Sequence, residues 1–474
     1  MNKKFMKRNL LQISHGLSVA VSVVIVLSGC STIVPLLPAS VVPAAWESPV
    51  EQDAALWPTQ DWWNNFADPE LSTLIADVQA GNLDLANNQR NLQAAQLSLR
   101  EAGFNLLPTP LVSLGIGAGY RDTNTNAPDS AGSVTTPLTL GATFSYNDIL
   151  SKPANYERAF ADYEGREAQV ADVALNTLGT AASTYFQLLL IRDKITASQQ
   201  NVANAEAIGA IAQARVNAGV AVPIEALQQQ IAIERERNNL RGLIQNDLAA
   251  RSSLALLQGR SVQGYNVNGQ TLQTLTVPKV QPGLPSDLLQ RRPDLVQAEA
   301  VLRSANANVT LVRNNLFPKI SLTSGINSSS TSLNQLVSAP GTVLTISTAL
   351  VQSLLDNGQR YRNLAQARLT LENNLATYSK TVLGAFNEIE VLLSNIQLLE
   401  AQGEVAFANL GAAEESFRIA QVRYAEGVAD YQTVLLSQNT LFSTRNSWLD
   451  NKLLQMNAMV GLYKALGGGW QANP

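Results

Sequence analysis

The hydrophobic period of the chain changes several times along its length. From Leu71 to Leu106 apolar residues recur at helical spacing: Leu71, Leu74, Ile75 and Val78, then Leu85, Leu92 and Leu99, share one face, with Asn, Gln and Ala elsewhere. This predicts a helix that stops before Pro108, since the residue ahead of a proline is pushed out of the helical region. The period then drops to two. In "LVSLGIGAGY" (111–120) Leu114, Ile116, Ala118 and Tyr120 oppose Ser113, Gly115, Gly117 and Gly119. In "PLTLGATFSY" (137–146) Leu138, Leu140, Ala142, Phe144 and Tyr146 oppose Thr139, Gly141, Thr143 and Ser145. Apolar residues alternating with small or polar ones over about ten positions mark a membrane β-barrel strand. A soluble sheet with two unlike faces alternates in the same way, so one hairpin alone leaves both readings open. The glycines of "GIGAG" keep the period of two, which favours a strand over a phosphate loop.

A helical period follows from Ser151 to Asn217, with one proline, Pro153, at its start. At ~1.5 Å per residue such a helix would be roughly 100 Å long. The second half then repeats the order. "NLLP" at Asn105 returns as "NLFP" at Asn315, and "ISLTSGIN" (320–327) and "TVLTISTALV" (342–351) alternate as the first two strands do. In them Ile320, Leu322, Ile326, Leu344, Ile346 and Leu350 lie on the apolar side. A second long helical run starts after Gly358. "IAQARVNAGVAVP" (211–223) answers "IAQVRYAEGVADY" (419–431), with Arg215 and Arg423 at equivalent places, and Arg237–Asn238 answers Arg445–Asn446. The phrase falls where each long helix must reverse, with Gly219 and Gly427 as the reversal points. Long helices without polar caps imply a coiled-coil-like wall. The expected organisation is a first repeat over 61–258, with its hairpin at 110–146 and tip at 215–223. A linker over 259–284 leads to a second repeat over 285–466, with hairpin 319–351 and tip 423–431, and a tail over 467–474.

The N-terminus has a different character. Lys3, Lys4, Lys7 and Arg8 precede the apolar stretch Leu17–Leu27, too short for an ordinary span but suited to a signal peptide (1–29). "LSGC" then places Cys30 where a bacterial lipoprotein is cut and lipidated, with 30–60 as an extended tether rich in Pro, Ala and Val. Cys30 is the sole cysteine and His15 the sole histidine. The mature chain would therefore lack a Ser–His–Asp triad, a Cys–His dyad, an ordinary zinc site and disulfides. Only 15% of residues are charged and the net charge is −4, which offers nothing to nucleic acid. No catalytic residue, cofactor or metal site is expected. "RRPD" (291–294) reads as a helix start, with Pro293 in the first turn and Asp294 beside the positive end.

Four alternating strands are too few for a membrane barrel, which takes about eight or more, and open edges are not tolerated in lipid. Several copies must therefore share one barrel. The stretch "LPSDLLQRRPDLVQAEAVLRSANANVTLVRNNLFPKISLT" (284–323), "WWNNFADPELSTLIADV" from Trp62 and "LLDNGQR" from Leu354 resemble the outer-membrane factor family. These are the TolC-like exit ducts, here of the lipoprotein branch that serves resistance-nodulation-division efflux pumps. The resemblance implies a mainly α fold with a transmembrane β-barrel. Three chains would form a twelve-stranded barrel, four strands from each, continued by a long periplasmic α-helical barrel with two internal repeats.

It further implies a homotrimer in outer-membrane lipid that passes small molecules outward from an inner-membrane pump. A periplasmic adaptor would dock on tips at Arg215, Val216, Gly219 and Val220 and at Arg423, Tyr424, Gly427 and Val428. The same glycines also serve plain helix reversal. Arg423, Tyr424, Asp430 and Leu436 are candidates for a periplasmic gate, with helix capping as the other reading of Asp430. Relatives often carry an acidic residue where this chain has Leu436. Other readings are a duct for a protein-secretion transporter, a lipid-anchored structural coiled coil, and a hydrolase using paired carboxylates, for which no Asp/Glu pair stands out.

Overall fold

The computed structural model describes residues 43, 46–48, 57–117, 119–121, 133–135, 138–269, 271–278, 285–330, 342–352 and 356–471. The signal segment, Cys30 and the polar loops between paired strands lie outside these residues. The described elements run α1 (Pro69–Gly81), α2 (Leu83–Phe104), β1 (Thr109–Ile116), β2 (Gly119–Arg121), β3 (Ser133–Thr135), β4 (Leu138–Tyr146), α3 (Lys152–Asn217) and α4 (Pro223–Leu257). The second half supplies α5 (Leu288–Arg291), α6 (Pro293–Asn314), β5 (Lys319–Ser330), β6 (Thr342–Val351), α7 (Gln359–Ala425) and α8 (Tyr431–Ala465). They divide into two compact units, one of 101–160 with 302–375, the other of 39–100, 161–301 and 376–474.

The first unit holds an antiparallel sheet in the order β1-β4-β5-β6, so β1 and β6 are its edges. Its register carries the alternation of the sequence across all four strands. Leu114 pairs with Leu140, Ile116 with Leu138, Ala142 with Ile326, Ile326 with Leu344, and Ile320 with Leu350, which puts them on one face. Gly115 pairs with Thr139, Gly141 with Asn327, and Thr323 with Ser347 on the other. The apolar face is bare within the chain: Ile116 is 78% exposed and Ile346 73%.

In the second unit, aromatic residues ahead of α1 pack into the core. Trp62 stacks on Tyr463 at 5.1 Å, and Phe66 lies 5.0 Å from Phe186. The linker is tied to α3. The Asp193 carboxylate accepts from Thr271 Oγ1 (2.7 Å) and the Leu272 amide (2.8 Å), and Arg192 donates to the carbonyls of Val267 and Gly269. Arg292 makes two bonds to Asp294 and one each to Glu388 and the Ala465 carbonyl. "RRPD" thus ties α6 to other helices, as a structural element would.

Three details depart from the sequence reading. The helix expected over 71–106 breaks at Asn82, whose ψ of 126° is extended. Its carbonyl Oδ1 caps α2 by accepting from the amides of Asp84 and Leu85, and its amide donates to the Leu257 carbonyl. The long helices are not all without polar caps, since Asp430 caps α8. The described tether residues Trp46, Glu47 and Ser48 pack rather than merely extending: Trp46 meets Phe386 edge-on at 6.3 Å, and the amides of Glu47 and Ser48 donate to Glu390.

The internal repeat recurs in particular bonds. Arg237 pairs with Glu206 at 2.6 Å, and 208 positions on, Arg445 pairs with Glu414 at 2.8 Å. The turn after α4 bonds the Gly259 amide to Leu256 O and Arg260 to Ala255 O. The turn after α8 does the same from Gly467 to Lys464 and Gly468 to Tyr463, again 208 positions on.

Candidate functional site at the helical tips

Each long helix must end its carbonyl ladder and turn back, and both do so by one device. At the end of α3 the Gly219 amide donates to Val216 O (3.0 Å) and Val220 to Arg215 O (3.0 Å). At the end of α7 Gly427 donates to Tyr424 O (3.1 Å) and Val428 to Arg423 O (2.9 Å). This pair of bonds satisfies the last carbonyls and needs a residue of positive φ at its centre. Gly219 (φ 72°) and Gly427 (φ 77°) meet that need without a Cβ penalty. The return helices begin differently. Pro223 opens α4, where a missing amide costs nothing. Asp430 opens α8 by accepting from the Thr433 amide (2.8 Å) and hydroxyl (2.6 Å). Those bonds hold its carboxyl below the usual range.

The two tips of one chain are joined by an aromatic seam. Tyr424 is fully buried beneath the Arg215 guanidinium, which lies 4.9 Å from its ring and donates to its carbonyl oxygen at 3.2 Å. The Tyr424 hydroxyl donates to Glu225 Oε2 (3.1 Å), and the Tyr431 hydroxyl to Gln229 Oε1 (2.8 Å). Gln229 is itself buried, its amide donating to Ala205 O. Burial, then the bond to Glu225, pushes the Tyr424 phenol up to about 12; burial and the Glu225 charge do the same to Tyr431. Arg235 adds a bond to Asn439 at 2.9 Å. Ile208, Phe417, Ala420 and Val434 complete an apolar cluster around the rings.

These positions sort the candidate residues. Gly219, Val220, Arg423, Gly427, Val428, Asp430 and Leu436 are exposed, while Arg215 and Val216 are half-buried. Tyr424 is a correction: its ring and hydroxyl are consumed inside the chain, so it presents no side chain for docking. Sequence reasoning missed Glu225, Gln229 and Tyr431. The signal was available where the two copies of the tip phrase disagree, Val216 against Tyr424 and Pro223 against Tyr431. Among the described residues no three His, Cys, Asp or Glu side chains group as a metal site would require.

The family model described as outer membrane efflux protein matches residues 74–260 and 284–468. The chain belongs to the outer membrane efflux protein family. It is 31% identical over 466 residues to the pyoverdine export outer membrane protein OpmQ of Pseudomonas putida, covering 94% of this chain and 96% of that one. It is 28% identical over 466 residues to the toluene efflux pump outer membrane protein TtgC of Pseudomonas putida (96% and 95% covered). It is also 28% identical over 415 residues to the cation efflux system protein CusC of Escherichia coli (86% and 88% covered).

Among solved structures, the outer-membrane channel OprN superposes with a TM-score of 0.83 at 21% identity, over 93% of this chain and 100% of that one. The open-state MtrE outer membrane channel of Neisseria gonorrhoeae gives 0.80 at 23% identity, over 94% and 99%. The fold is that of these channels, with a helical barrel and a β-barrel domain, and the protein is an outer-membrane efflux channel protein.

Proposed function

We propose that three copies of this chain form one duct, in which β6 of each copy pairs with β1 of the next to close a twelve-stranded barrel. The observation that carries this is the sheet itself. It has four strands, two open edges, one bare and mainly apolar face and one face rich in Gly, Ser, Thr and Asn. Unpaired edge amides and carbonyls cannot stay in lipid, so closure must come from other copies. The apolar face then meets the membrane and the small polar face lines water. Cys30 carries the lipid, and the strap held by Glu390 fixes the chain after it.

The duct performs no chemistry of its own. It receives small molecules from an inner-membrane pump through a periplasmic adaptor seated on the exposed tip residues Gly219, Val220, Gly427 and Val428. Relatives that share this architecture are named for pyoverdine, toluene and cations. Cargo choice therefore rests with the pump rather than with a lumen of hydroxyls and amides. The test is single-channel recording of the purified protein in a planar bilayer, with adaptor crosslinking of a Gly427→Trp variant. The expected result is a large, mostly closed conductance from a trimer, and a variant that no longer crosslinks to the adaptor. A folded protein without conductance under any opening condition overturns the duct.

A further inference from the structure

A groove of about 590 Å³ runs over α3 between α4 and α8, and among the described residues no carboxylate lines it. Tyr185, Leu189 and Asp193 turn one side of α3 to the linker. Thr180, Thr184 and Gln187, which line the groove, stand half a helical turn away from them. Thr180, Thr184 and Ser253 spend their hydroxyl protons on carbonyls one turn back. Ser183, Gln187, Asn246 and the Lys464 ammonium make no hydrogen bond among the described residues, and the buried Asn457 Oδ1 has no partner. Asp172 is influenced by the Lys464 charge but forms no ion pair with it. Lys194, further along the same face of α3, is by contrast neutralised by Asp450 at 2.6 Å. The Lys464 stem rests where Gly179 leaves room, since a Cβ there would lie 2.5 Å from Lys464 Cδ. A cation in the last turn of a helix also suits its dipole, yet the equivalent last turn of α4 has none. A shift of 208 positions puts Leu256 and Ala249 in place of Lys464 and Asn457, and Asn387 in place of Gly179. Helix packing alone therefore does not call for this set.

Resting on the duct proposed above, we infer that this groove is a lumenal binding site for a polyhydroxylated carboxylate. Placed inside the duct, the linker and the aromatic core would fill it; placed outside, they leave the groove facing its water. The ligand's carboxylate sits on the Lys464 ammonium, the one free cation in the groove. Asn457 stands seven residues earlier on α8, ~10 Å away along the helix axis. Its orphaned Oδ1 accepts, so it takes a hydroxyl and not a second carboxylate. Gln187 and Asn246 add amides that bond further hydroxyls. One charge at one end and hydroxyls along the rest is what this lining satisfies. Three copies hold three such grooves at one level of the duct. They detain anions on the way out without choosing the cargo, which the pump has already done.

The test is titration calorimetry of purified trimers with gluconate, and with hexanoate as an anion of like charge and length without hydroxyls. Gluconate should bind the parent more tightly than hexanoate. Lys464→Gln should weaken gluconate about tenfold, the low end for a bond to a charged partner. Gly179→Ala keeps the charge but displaces the lysine stem, and should weaken gluconate too. Asn457→Ala should weaken gluconate and leave hexanoate as it is. In a planar bilayer, gluconate should interrupt the open-channel current of the parent and not that of Lys464→Gln. Folded trimers that bind no gluconate, or bind it equally well as Lys464→Gln, overturn this inference alone, as does hexanoate binding as tightly as gluconate. Gluconate binding to a protein that never conducts overturns the duct, and the lumenal placement of the site with it.

Discussion

Tyr424→Phe is the smallest change that tests the seam between the two tips of one chain. It removes one oxygen and leaves the buried ring under Arg215, so no cavity opens and the cluster around Ile208 and Phe417 keeps its packing. What is lost is the hydroxyl donated to Glu225 at 3.1 Å. A hydrogen bond to a charged partner contributes ~1.5–3 kcal/mol. Glu225 is half-buried and can recover water, so the low end applies: about 1.5 kcal/mol, or roughly tenfold in the local opening equilibrium.

Hydrogen exchange at the tip reads this directly. Amides in the last turn of α7 and the first turn of α4 should exchange about tenfold faster, with the sheet and the aromatic core unaffected. Raising the pH should reproduce the effect in the parent protein. A phenol raised to about 12 stabilises the seam fully below its unfolded value near ~10 and ceases to do so as pH climbs through 12. The Tyr424→Phe protein should lack that part of the alkaline loss. Unchanged exchange at the tip refutes the energetic reasoning.

Two further outcomes follow from the tip and turn geometry. Gly219→Ala meets no atom within 4 Å and suffers only the positive φ, about 1–2 kcal/mol, whereas an added Cβ at Gly259 would lie 2.3 Å from the Gly81 carbonyl oxygen. The Gly259→Ala protein should therefore unfold at a clearly lower temperature than Gly219→Ala, and equal midpoints would contradict the turn assignment. Asp430→Asn keeps an N-capping side chain and should leave exchange in the first turn of α8 unchanged, while Asp430→Ala should accelerate it. Because its carboxyl is held below the ordinary value of 3.8, the cap is fully present above that pH and lost as pH falls through the depressed value. A conductance change in Asp430→Asn with normal exchange would favour the gate reading of this residue.

The sheet was legible because its information is local and redundant. A period of two assigns each side chain to a face, and a one-residue slip would turn Leu114, Leu140, Ile326 and Leu344 away from the lipid side together. The turns were legible for a similar reason, since a glycine of positive φ closes each within a few residues. The seam was not. Tyr424 finds Glu225 across 199 positions and Tyr431 finds Gln229 across 202, and no periodicity links such pairs. The break at Asn82 was hidden too, because the residues on either side keep one helical face; Asn82's extended backbone interrupts it, held by its side-chain bonds to the Asp84 and Leu85 amides and the Leu257 carbonyl.

Where the two halves stay alike and where they differ has a physical logic. Backbone requirements are the same in both, so Gly219 and Gly427, Gly259 and Gly467, and the pairs Glu206–Arg237 and Glu414–Arg445 are kept. Neighbours are not the same. Helix α6 buries Leu295, Ala300, Leu302, Ala305, Val309 and Leu311 within the chain, while α2, which precedes β1 as α6 precedes β5, buries none of its residues. Its Leu85, Leu92 and Leu99 line one face and remain half-buried. A helix with an apolar stripe and no burial is incomplete by itself, and ring closure would bring it the neighbour that α6 already has. Divergence between the repeats therefore collects where one copy meets its own chain and the other meets the next. At the tips that difference is Tyr424 and Tyr431 against Val216 and Pro223, so near-identical backbone turns carry side chains that differ with their surroundings.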